Sequence, residues 1–347
     1  MRAKNYFIRQ YSFNDFTHGG VGYTDIEKIL AGMNFTPIAF PFYNSFSPIA
    51  KVARLFFLLR MNFTLTRGST LVFIYPVFAK MNALLLRLAT RKKVNIICII
   101  GDIDGIKDGD STLLDENISE LKRYRYFVAH NDAMREWLKQ HVPSAAVTTI
   151  DFFDFLVIPF EGARHKSGDI VFAGNLEKSV FIEGLHKVVQ QSPQIHFNLY
   201  GAGYTKKMIE QNGVSYKGLF PAYDLPALLE GSFGLVWDGT SINEPGGSLG
   251  DYMRFISHHK ISLYIVSGLP LIVPETAASA PLVKQYGIGI TVKTLLDIPR
   301  GIESITDEQY QQMRRNMIPL AKKISSGQCL AIAVTELINS IDNAGKT

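Results

Sequence analysis

The sequence contains little cysteine and no long apolar run. Only Cys98 and Cys329 are cysteines, and they lie far apart with no second ligand-type residue close by. This excludes a disulfide framework and a cysteine zinc site, and it favours a reducing compartment such as the cytoplasm. No stretch of about 18 or more apolar residues is present, so we expect no membrane-spanning helix. The first residues lack an apolar core followed by small residues, so no secretion signal is predicted.

Several chemistry-bearing motifs are also absent. There is no P-loop, no G-x-S-x-G nucleophile turn and no H-E-x-x-H zinc helix. His258 and His259 have no third partner at metal-ligand spacing, so no metal site is predicted. No RNP run, KH loop or zinc finger appears, which disfavours a nucleic-acid partner.

The chain is nevertheless composed like a folded enzyme, and its charge is uneven. Apolar residues make up 47% of its 347 residues and charged residues 19%, which argues against disorder. Residues 1–150 hold 19 Lys and Arg against 12 Asp and Glu, whereas residues 151–347 hold 17 against 19. A basic first half indicates an anionic partner. Peripheral contact with an anionic membrane fits this pattern, and so does a basic face that is merely solvated.

Apolar runs alternate with helical patterns along the whole chain, which is typical of βαβ units in parallel sheets. Two such series flank a boundary rich in Pro, Gly and charge at 155–168. The sequence therefore predicts an α/β fold with two Rossmann-like domains and a cleft between them, at 1–157 and 165–325. Residues 326–347 are predicted to form a last helix packing back on the first domain, after a break near Pro319 or Gly327. The predicted strands are 4–11, 36–42, 69–76, 94–102, 126–131, 146–153, 169–176, 195–201, 214–220, 233–239, 270–275 and 288–293.

Two strand-turn-helix segments of the second half have the small residues that let a backbone approach phosphate. AGNLEKS (173–179) contains Asn175 and the cation Lys178. LYGAGYTKKM (199–208) has half of a dinucleotide fingerprint but neither its third glycine nor its acidic residue, which disfavours NAD. Tyr200 and Tyr204 are candidates for stacking on a base, although either could equally be a core residue.

The most informative segment runs from 236 to 275. Asp238 and Gly239 close a predicted strand, a glycine-rich loop follows, and Lys260 and Ser262 stand at the start of a helix pattern predicted over 252–267. A glycine-rich loop is costly to order without a purpose, and lysine can neutralise a diphosphate as a point charge. An acidic residue, a glycine-rich loop and a basic residue at strand ends therefore indicate recognition of a sugar diphosphate. The alternative interpretation is an ordinary loop with a solvated lysine.

Candidate proton acceptors lie in the first half. Asp102 and Asp104 follow a predicted strand in IIGDIDGIKDGDS, and a carboxylate at a cleft-facing strand end is suited to general-base catalysis. Capping and solvation of a loop is the competing interpretation. The N-terminal segment 14–30 is predicted to form a loop around HGGVG that comes close to a donor phosphate, with His18 as a further conceivable base.

Taken together, these blocks resemble the bacterial galactofuranosyltransferases and related glucosyltransferases of lipopolysaccharide, capsule and adhesin glycosylation. The set comprises WDG, GDYMRF and HHKISLYIVSGLPLIVPE, with IIGDIDGIKDGDS, VAHNDAM, DFFDFLV and VFAGNLEKS in the same order, across about residues 14–325. The resemblance implies a GT-B enzyme that needs no metal or other cofactor, uses a UDP-sugar, inverts the anomeric carbon and forms an oligomer.

Carried over by position, the resemblance assigns a set of residues to the UDP-sugar. Gly101 stands where the family commonly has histidine, and Lys178 where arginine is frequent, giving a point charge in place of a fork. The residues assigned in this way are Gly20, Gly22 and Thr24 in a covering loop, with Asn175, Lys178, Tyr200, Asp238, Gly239, Lys260 and Ser262. Tyr204, the stacking candidate, completes the expected donor residues.

The expected reaction is a direct displacement onto an acceptor glycan or lipid-linked saccharide. Asp104 or Asp102 takes the acceptor proton, with His18 in reserve, and cations stabilise the departing UDP. The expected location is the cytoplasm or the inner face of the cell membrane. A UDP-sugar epimerase and a non-catalytic binding subunit of another transferase remain as alternatives.

Overall fold

The structure, a computed structural model, describes residues 4–10, 18–42 and 45–344, with only the backbone for His18 and Gly19. Within these residues the chain forms two parallel six-stranded sheets, each flanked by helices. Each of the twelve predicted strands is present and is shorter than predicted, and the predicted α/β class with two Rossmann-like sheets is confirmed.

The first sheet has the strand order β2-β1-β3-β4-β5-β6. Its central strands β3 and β4 are the continuous apolar runs TLVFIY and NIICII, which suit strands covered by helices on both faces. The strands are β1 Asn5–Ile8, β2 Thr36–Ile38, β3 Thr70–Tyr75, β4 Asn95–Ile100, β5 Tyr126–Ala129 and β6 Ala146–Thr149. The helices are α1 His18–Gly32, α2 Pro48–Thr64, α3 Lys80–Arg91, α4 Asp104–Lys107, α5 Ser111–Leu121 and α6 Asp132–His141.

The second sheet has the order β12-β11-β10-β7-β8-β9, so the chain reverses direction across the sheet between β7 and β10. A crevice at such a switch point is where open α/β sheets bind ligands. The strands are β7 Asp169–Ala173, β8 His196–Tyr200, β9 Val214–Gly218, β10 Phe233–Leu235, β11 Leu271–Pro274 and β12 Gly289–Val292. The helices are α7 His186–Gln191, α8 Lys206–Ile209, α9 Leu225–Leu228, α10 Gly247–Tyr252, α11 His259–Val266, α12 Ala280–Tyr286, α13 Ile298–Glu303, α14 Asp307–Ser325 and α15 Gln328–Ala344, with 3-10 turns at Val180–Gly184 and Leu295–Asp297.

Two predictions of local structure are wrong. The segment predicted as a covering loop over Gly19–Thr24 is the first part of α1, because Val21, Ile26 and Leu30 recur at helical spacing and are buried. The helix predicted over 252–267 is interrupted after Tyr252, and α11 begins only at His259.

The last helix returns to the first sheet. Helix α14 continues through Pro319, and the break before α15 falls at Gly327, which has a left-handed φ of 77°. Helix α15 packs on β4, β5 and β6, and the buried carboxylate of Asp154 accepts hydrogen bonds from the N–H groups of Cys329 and Leu330 at 3.0 and 2.8 Å. This carboxylate caps the start of α15 and ties it to the segment between the two sheets.

Among the described residues, no single helix has both the length and the apolar composition of a membrane span. Helices α14 and α15, which form a bent pair, pass that test when they are taken together, by length and composition only.

Candidate active site

The carboxyl ends of both sheets face one cleft. Asp102 follows β4 and His130 follows β5 in the first half, while Gly174 follows β7 and Asp238 lies just beyond β10 in the second. Two adjoining cavities lie in the cleft, and residues of α1 and His259 line both of them. The larger, of about 220 Å³, is lined by Asp102, His130 and His258. The smaller, of about 110 Å³, is lined by Gly174 and Lys260.

The second half contributes a tight charged cluster. Asp238 accepts from Lys260 Nζ at 2.7 Å through Oδ1 and lies 2.9 Å from His258 Nε2 through Oδ2. All three side chains are mostly buried. Burial alone would raise the pKa of Asp238, but the charge of Lys260 and the hydrogen bond from His258 outweigh it and hold this pKa well below its usual range. Asp238 is therefore an anion that fixes two nitrogen-bearing side chains at the cleft.

A glycine makes the turn after Asp238 feasible. Gly239 has a φ of 108°, and a Cβ added there would lie 2.4 Å from the carbonyl oxygen of Gly246. Only glycine fits such a close approach of two backbone segments. The glycine-rich loop thus folds back on itself and leaves the Asp238 carboxylate directed at α11.

Lys260 lies across the ends of two strands. Its Cε would be 2.9 Å from a Cβ at Gly174, and its Nζ lies 4.5 Å from the centre of the Phe172 ring. It is held there by Asp238, and its side chain is 16% exposed. A partly desolvated lysine at the start of α11, beside the glycine turn after β7, forms a suitable anion site at a strand-to-helix edge.

The aspartates of the first half share one lysine. Lys107 Nζ lies 2.8 Å from Asp102 Oδ2 and 3.7 Å from Asp104 Oδ1. Burial raises the pKa of Asp104 above its usual value, while attraction to Lys107 opposes this rise. Asp102 Oδ1 also accepts from the Tyr252 hydroxyl of the other half at 3.2 Å. The structure brings both aspartates to the cleft edge, and Asp102 is the one that lines the larger cavity.

His130 is a cleft residue that the sequence predictions omitted. Its ring is buried, and its Nε2 lies 3.0 Å from the carbonyl oxygen of Ile100, so the neutral ring donates from Nε2. Burial lowers the pKa of His130 to about 4, which keeps the ring neutral near pH 7. Its Nδ1 is buried without a hydrogen-bond partner among the described residues. Because His130 directly follows β5, its position in the block VAHNDAM was a signal that could have found it.

His258, His259 and Tyr252 also lie at the cleft without having been predicted as site residues. The His259 ring stacks on Phe153 of the first half, with ring centres 4.1 Å apart, and remains exposed to the cleft. The histidine pair is visible in the sequence, where its spacing bears only on a metal site. Within the described part of the chain, no three His, Cys, Asp or Glu side chains form a metal-binding group.

Some predicted donor residues lie inside the protein. The Tyr200 ring is buried, and its hydroxyl donates to the carbonyl of Leu228 and accepts from Glu230 N. Ser262 is fully buried and donates to the carbonyl oxygen of Phe153 at 2.6 Å. Both hydroxyls therefore have hydrogen-bond partners within the protein. The hydrogen bond of Ser262 joins the two halves.

Other predicted donor residues lie on the surface. Asn175 and Lys178 are exposed in the turn after β7, where Asn175 Oδ1 accepts from Lys178 N at 3.3 Å. Tyr204 is half-exposed, with its ring 4.3 Å from that of Tyr216. These three residues follow β7 and β8 and form a rim at the carboxyl edge of the second sheet, outside the two cavities described above.

The residues predicted for the covering loop belong to α1. Gly22 lines the larger cavity, and a Cβ there would lie 2.2 Å from His259 Cε1. Gly20 has nothing within 4 Å of an added Cβ, and the Thr24 hydroxyl donates to the carbonyl of Gly20 within the helix. The His18 side chain lies outside the described residues.

A tyrosine side chain occupies the space beside Gly101. A Cβ at Gly101 would lie 2.8 Å from the Tyr23 hydroxyl and 2.9 Å from the carbonyl oxygen of Tyr75. The space that a side chain at this position would need is therefore occupied by Tyr23 of α1.

Comparison with known proteins identifies relatives along almost the whole chain. Residues 4–146 match the model of the glucosyltransferase 3-like N-terminal domain, and residues 170–337 match that of the glucosyltransferase 3-like C-terminal domain. The beta-1,6-galactofuranosyltransferase WbbI of Escherichia coli K12 is 26% identical over 80% of this chain and 81% of its own length. Glucosyltransferase 3 of Streptococcus gordonii is 31% identical over 32% of this chain and 34% of its own.

Solved structures share the two-sheet arrangement. Sucrose-phosphate synthase of Thermosynechococcus elongatus superposes with a TM-score of 0.65 at 12% identity, covering 99% of this chain and 100% of that one. The Anabaena protein Alr3699/HepE, solved with UDP-glucose, gives 0.61 at 13% identity, covering 98% and 99%. At such identities the likeness concerns the fold, which is the GT-B architecture.

The contact between α1 and α11 can be tested with two glycines of the same helix. Gly22→Ala should lower the free energy of unfolding by about 1–3 kcal/mol, because the new methyl group collides with His259. Gly20→Ala is the matched control and should be neutral or stabilising by about 0.5–1 kcal/mol. Chemical unfolding curves measure both values, and two equally stable variants would contradict the contact.

Proposed function

The chain belongs to the glucosyltransferase 3-like family and is a glycosyltransferase. We propose that it moves galactofuranose or glucose from a UDP-sugar to an acceptor glycan. The two donor sugars are those in the names of the relatives from Escherichia coli and Streptococcus gordonii. The uridine nucleotide is supported by the Anabaena protein of the same fold, which was solved with UDP-glucose.

The position of Lys260 supports binding of a sugar diphosphate. It lies between the ends of β7 and β10, beside Gly174, and Asp238 holds it at 2.7 Å. A diphosphate seated there would meet one fixed cation and the free N–H groups at the start of α11. Asn175, Lys178 and Tyr204 on the rim are then the residues proposed for the outer parts of the donor.

We assign the opposite side of the cleft to the acceptor. Its hydroxyl loses a proton to a carboxylate and attacks the anomeric carbon, while the bond from that carbon to the diphosphate breaks and its electron pair leaves with UDP. Lys260 stabilises the developing charge, so the step needs no metal. Attack on the face opposite UDP inverts the anomeric configuration.

Asp102 is the proposed proton acceptor, with Asp104 and His18 as the alternatives. Asp102 lines the larger cavity, and contacts with Lys107 and Tyr252 hold its carboxylate in place. Asp104 shares Lys107 but is absent from the cavity lining, among the residues that the structure describes.

The proposal is tested by incubating the protein with a panel of UDP-sugars and candidate saccharide acceptors, with mass-spectrometric detection of products. We expect transfer from UDP-galactofuranose or UDP-glucose, an inverted product by NMR, and unchanged activity in EDTA. Turnover of the UDP-sugar without an acceptor would indicate an epimerase, and UDP affinity without any turnover would indicate a binding subunit. Dependence on added divalent metal would overturn the metal-free step.

The donor site is tested by Lys260→Ala. Loss of one charge-assisted contact in a desolvated site should raise the Kd for UDP by about 10- to 150-fold. Lys284→Ala, which removes an exposed lysine of α12, is the matched control and should leave the Kd unchanged. Isothermal titration calorimetry measures both, after circular dichroism has verified folding. Equal UDP affinity in the two variants would remove Lys260 from the donor site.

The proton acceptor is tested by comparing Asp102→Asn with Asp104→Asn, which keep the size of each side chain. Loss of a general base should lower kcat by about 10²- to 10⁴-fold. We expect this fall for Asp102→Asn and a much smaller one for Asp104→Asn, with UDP affinity unchanged in both. The reverse order would assign the base to Asp104, and full activity in both variants would direct attention to His18.

A further inference from the structure

Helix α2 carries an apolar stripe on its outer face. The positions follow the spacing i, i+3, i+7, i+10 and i+14, which places them along one side of the helix for about 21 Å. A soluble surface helix normally presents polar side chains there. The five side chains are Ile49, Val52, Phe56, Leu59 and Phe63, which are 76, 53, 67, 53 and 82% exposed.

The stripe is not needed to attach α2 to the protein. Ala50 and Met61 on the opposite side are buried, and Phe57 packs on Phe40 with ring centres 5.0 Å apart. The helix therefore has one apolar side in the core and a second one facing outward. A contiguous exposed patch of this kind indicates an interaction surface.

Further aromatic side chains extend the stripe toward the cleft. Phe46, at 84% exposure, directly precedes the cap of α2, and Phe42 follows β2 at the carboxyl edge of the sheet. Arg54 of α2 donates to the carbonyl groups of Pro41 and Phe42, so this edge is fixed to the helix.

The charged residues in the segment that contains the stripe have one sign. From residue 45 to residue 100 the sequence contains nine Lys and Arg and no Asp or Glu. Lys51 and Arg60 are exposed on α2 and flank the stripe, and Arg67 is exposed just beyond its end. An apolar face flanked by the cations of its own segment is complementary to an anionic surface that has an apolar interior.

We propose that this face, formed by α2 and Phe46, docks on an anionic lipid bilayer. The stripe enters the boundary between headgroups and acyl chains, and Lys51, Arg60 and Arg67 pair with lipid phosphates. A second copy of the chain is a poorer occupant, because a two-fold contact would bring the same cations of both copies together. The helix lies on the membrane surface and does not cross it, because Arg54 and Arg60 interrupt the apolar residues of this 17-residue helix.

The inference does not rest on the proposed function, because it concerns the face of α2 and uses no residue of the donor site. Docking would place the carboxyl edge of the first sheet close to the bilayer. The acceptor side of the cleft would then open near the membrane surface.

The test is sedimentation of the purified full chain with vesicles of phosphatidylcholine alone or with added phosphatidylglycerol. The chain should bind the mixed vesicles and should lose most of this binding at high salt. Phe56→Gln with Phe63→Gln should weaken binding about tenfold or more, since it removes two aromatic rings from the docked face. Lys51→Gln with Arg60→Gln should weaken binding to mixed vesicles only.

The matched control is Ile158→Gln with Ile318→Gln, which removes two exposed apolar side chains of the second half and its linker and should leave binding unchanged. Thermal unfolding verifies that each variant is folded. Failure of the original chain to sediment with mixed vesicles would overturn the proposal, and so would equal binding by the phenylalanine variant. A dimer in ultracentrifugation that the phenylalanine variant abolishes, without vesicle binding, would assign the face to a second copy.

Discussion

The ion pairing of the mostly buried Asp238 carboxylate is the interaction on which the proposed donor side of the cleft depends. A charge removed from water is tolerated only when it is closely paired, and Asp238 is paired with Lys260 and His258. The pairing requires the glycine turn at Gly239, which directs the carboxylate to α11. One electrostatic requirement thus orders a loop, a helix start and the cation placed between two strands.

Several close side-chain contacts join the two halves at the cleft, in addition to the apolar core that they share. His259 touches Gly22 on one side and Phe153 on the other, and Tyr252 reaches Asp102 across the cleft. Asp25 of α1 is buried and accepts from the Tyr223 hydroxyl at 2.7 Å. The proposed donor and acceptor sides are therefore linked by these contacts, and His259 lines both cavities.

The sheets could be predicted from the sequence because their central strands are continuous apolar runs, as in TLVFIY and NIICII. The site was harder, because it is built from long-range pairs. Asp238 and Lys260 were recognised as neighbours of one motif, but no local pattern joins His130 to Asp102. Nor does residue type reveal burial: the sequence predicts Tyr200 and Ser262 as donor residues, and in the structure both are buried with hydroxyls that donate to carbonyl groups. The glycines of α1 suggested a loop, whereas packing of Val21 and Leu30 made it a helix.

The return of α15 to the first sheet has a consequence for the order of folding. The buried side chains of α15 complete the core under β4, β5 and β6, and Asp154 must wait for the N–H groups of Cys329 and Leu330. During synthesis the first sheet leaves the ribosome well before the helix that covers it. The first sheet is therefore completed only after the second sheet has been translated, and its exposed face must remain free of misassembly until α15 emerges.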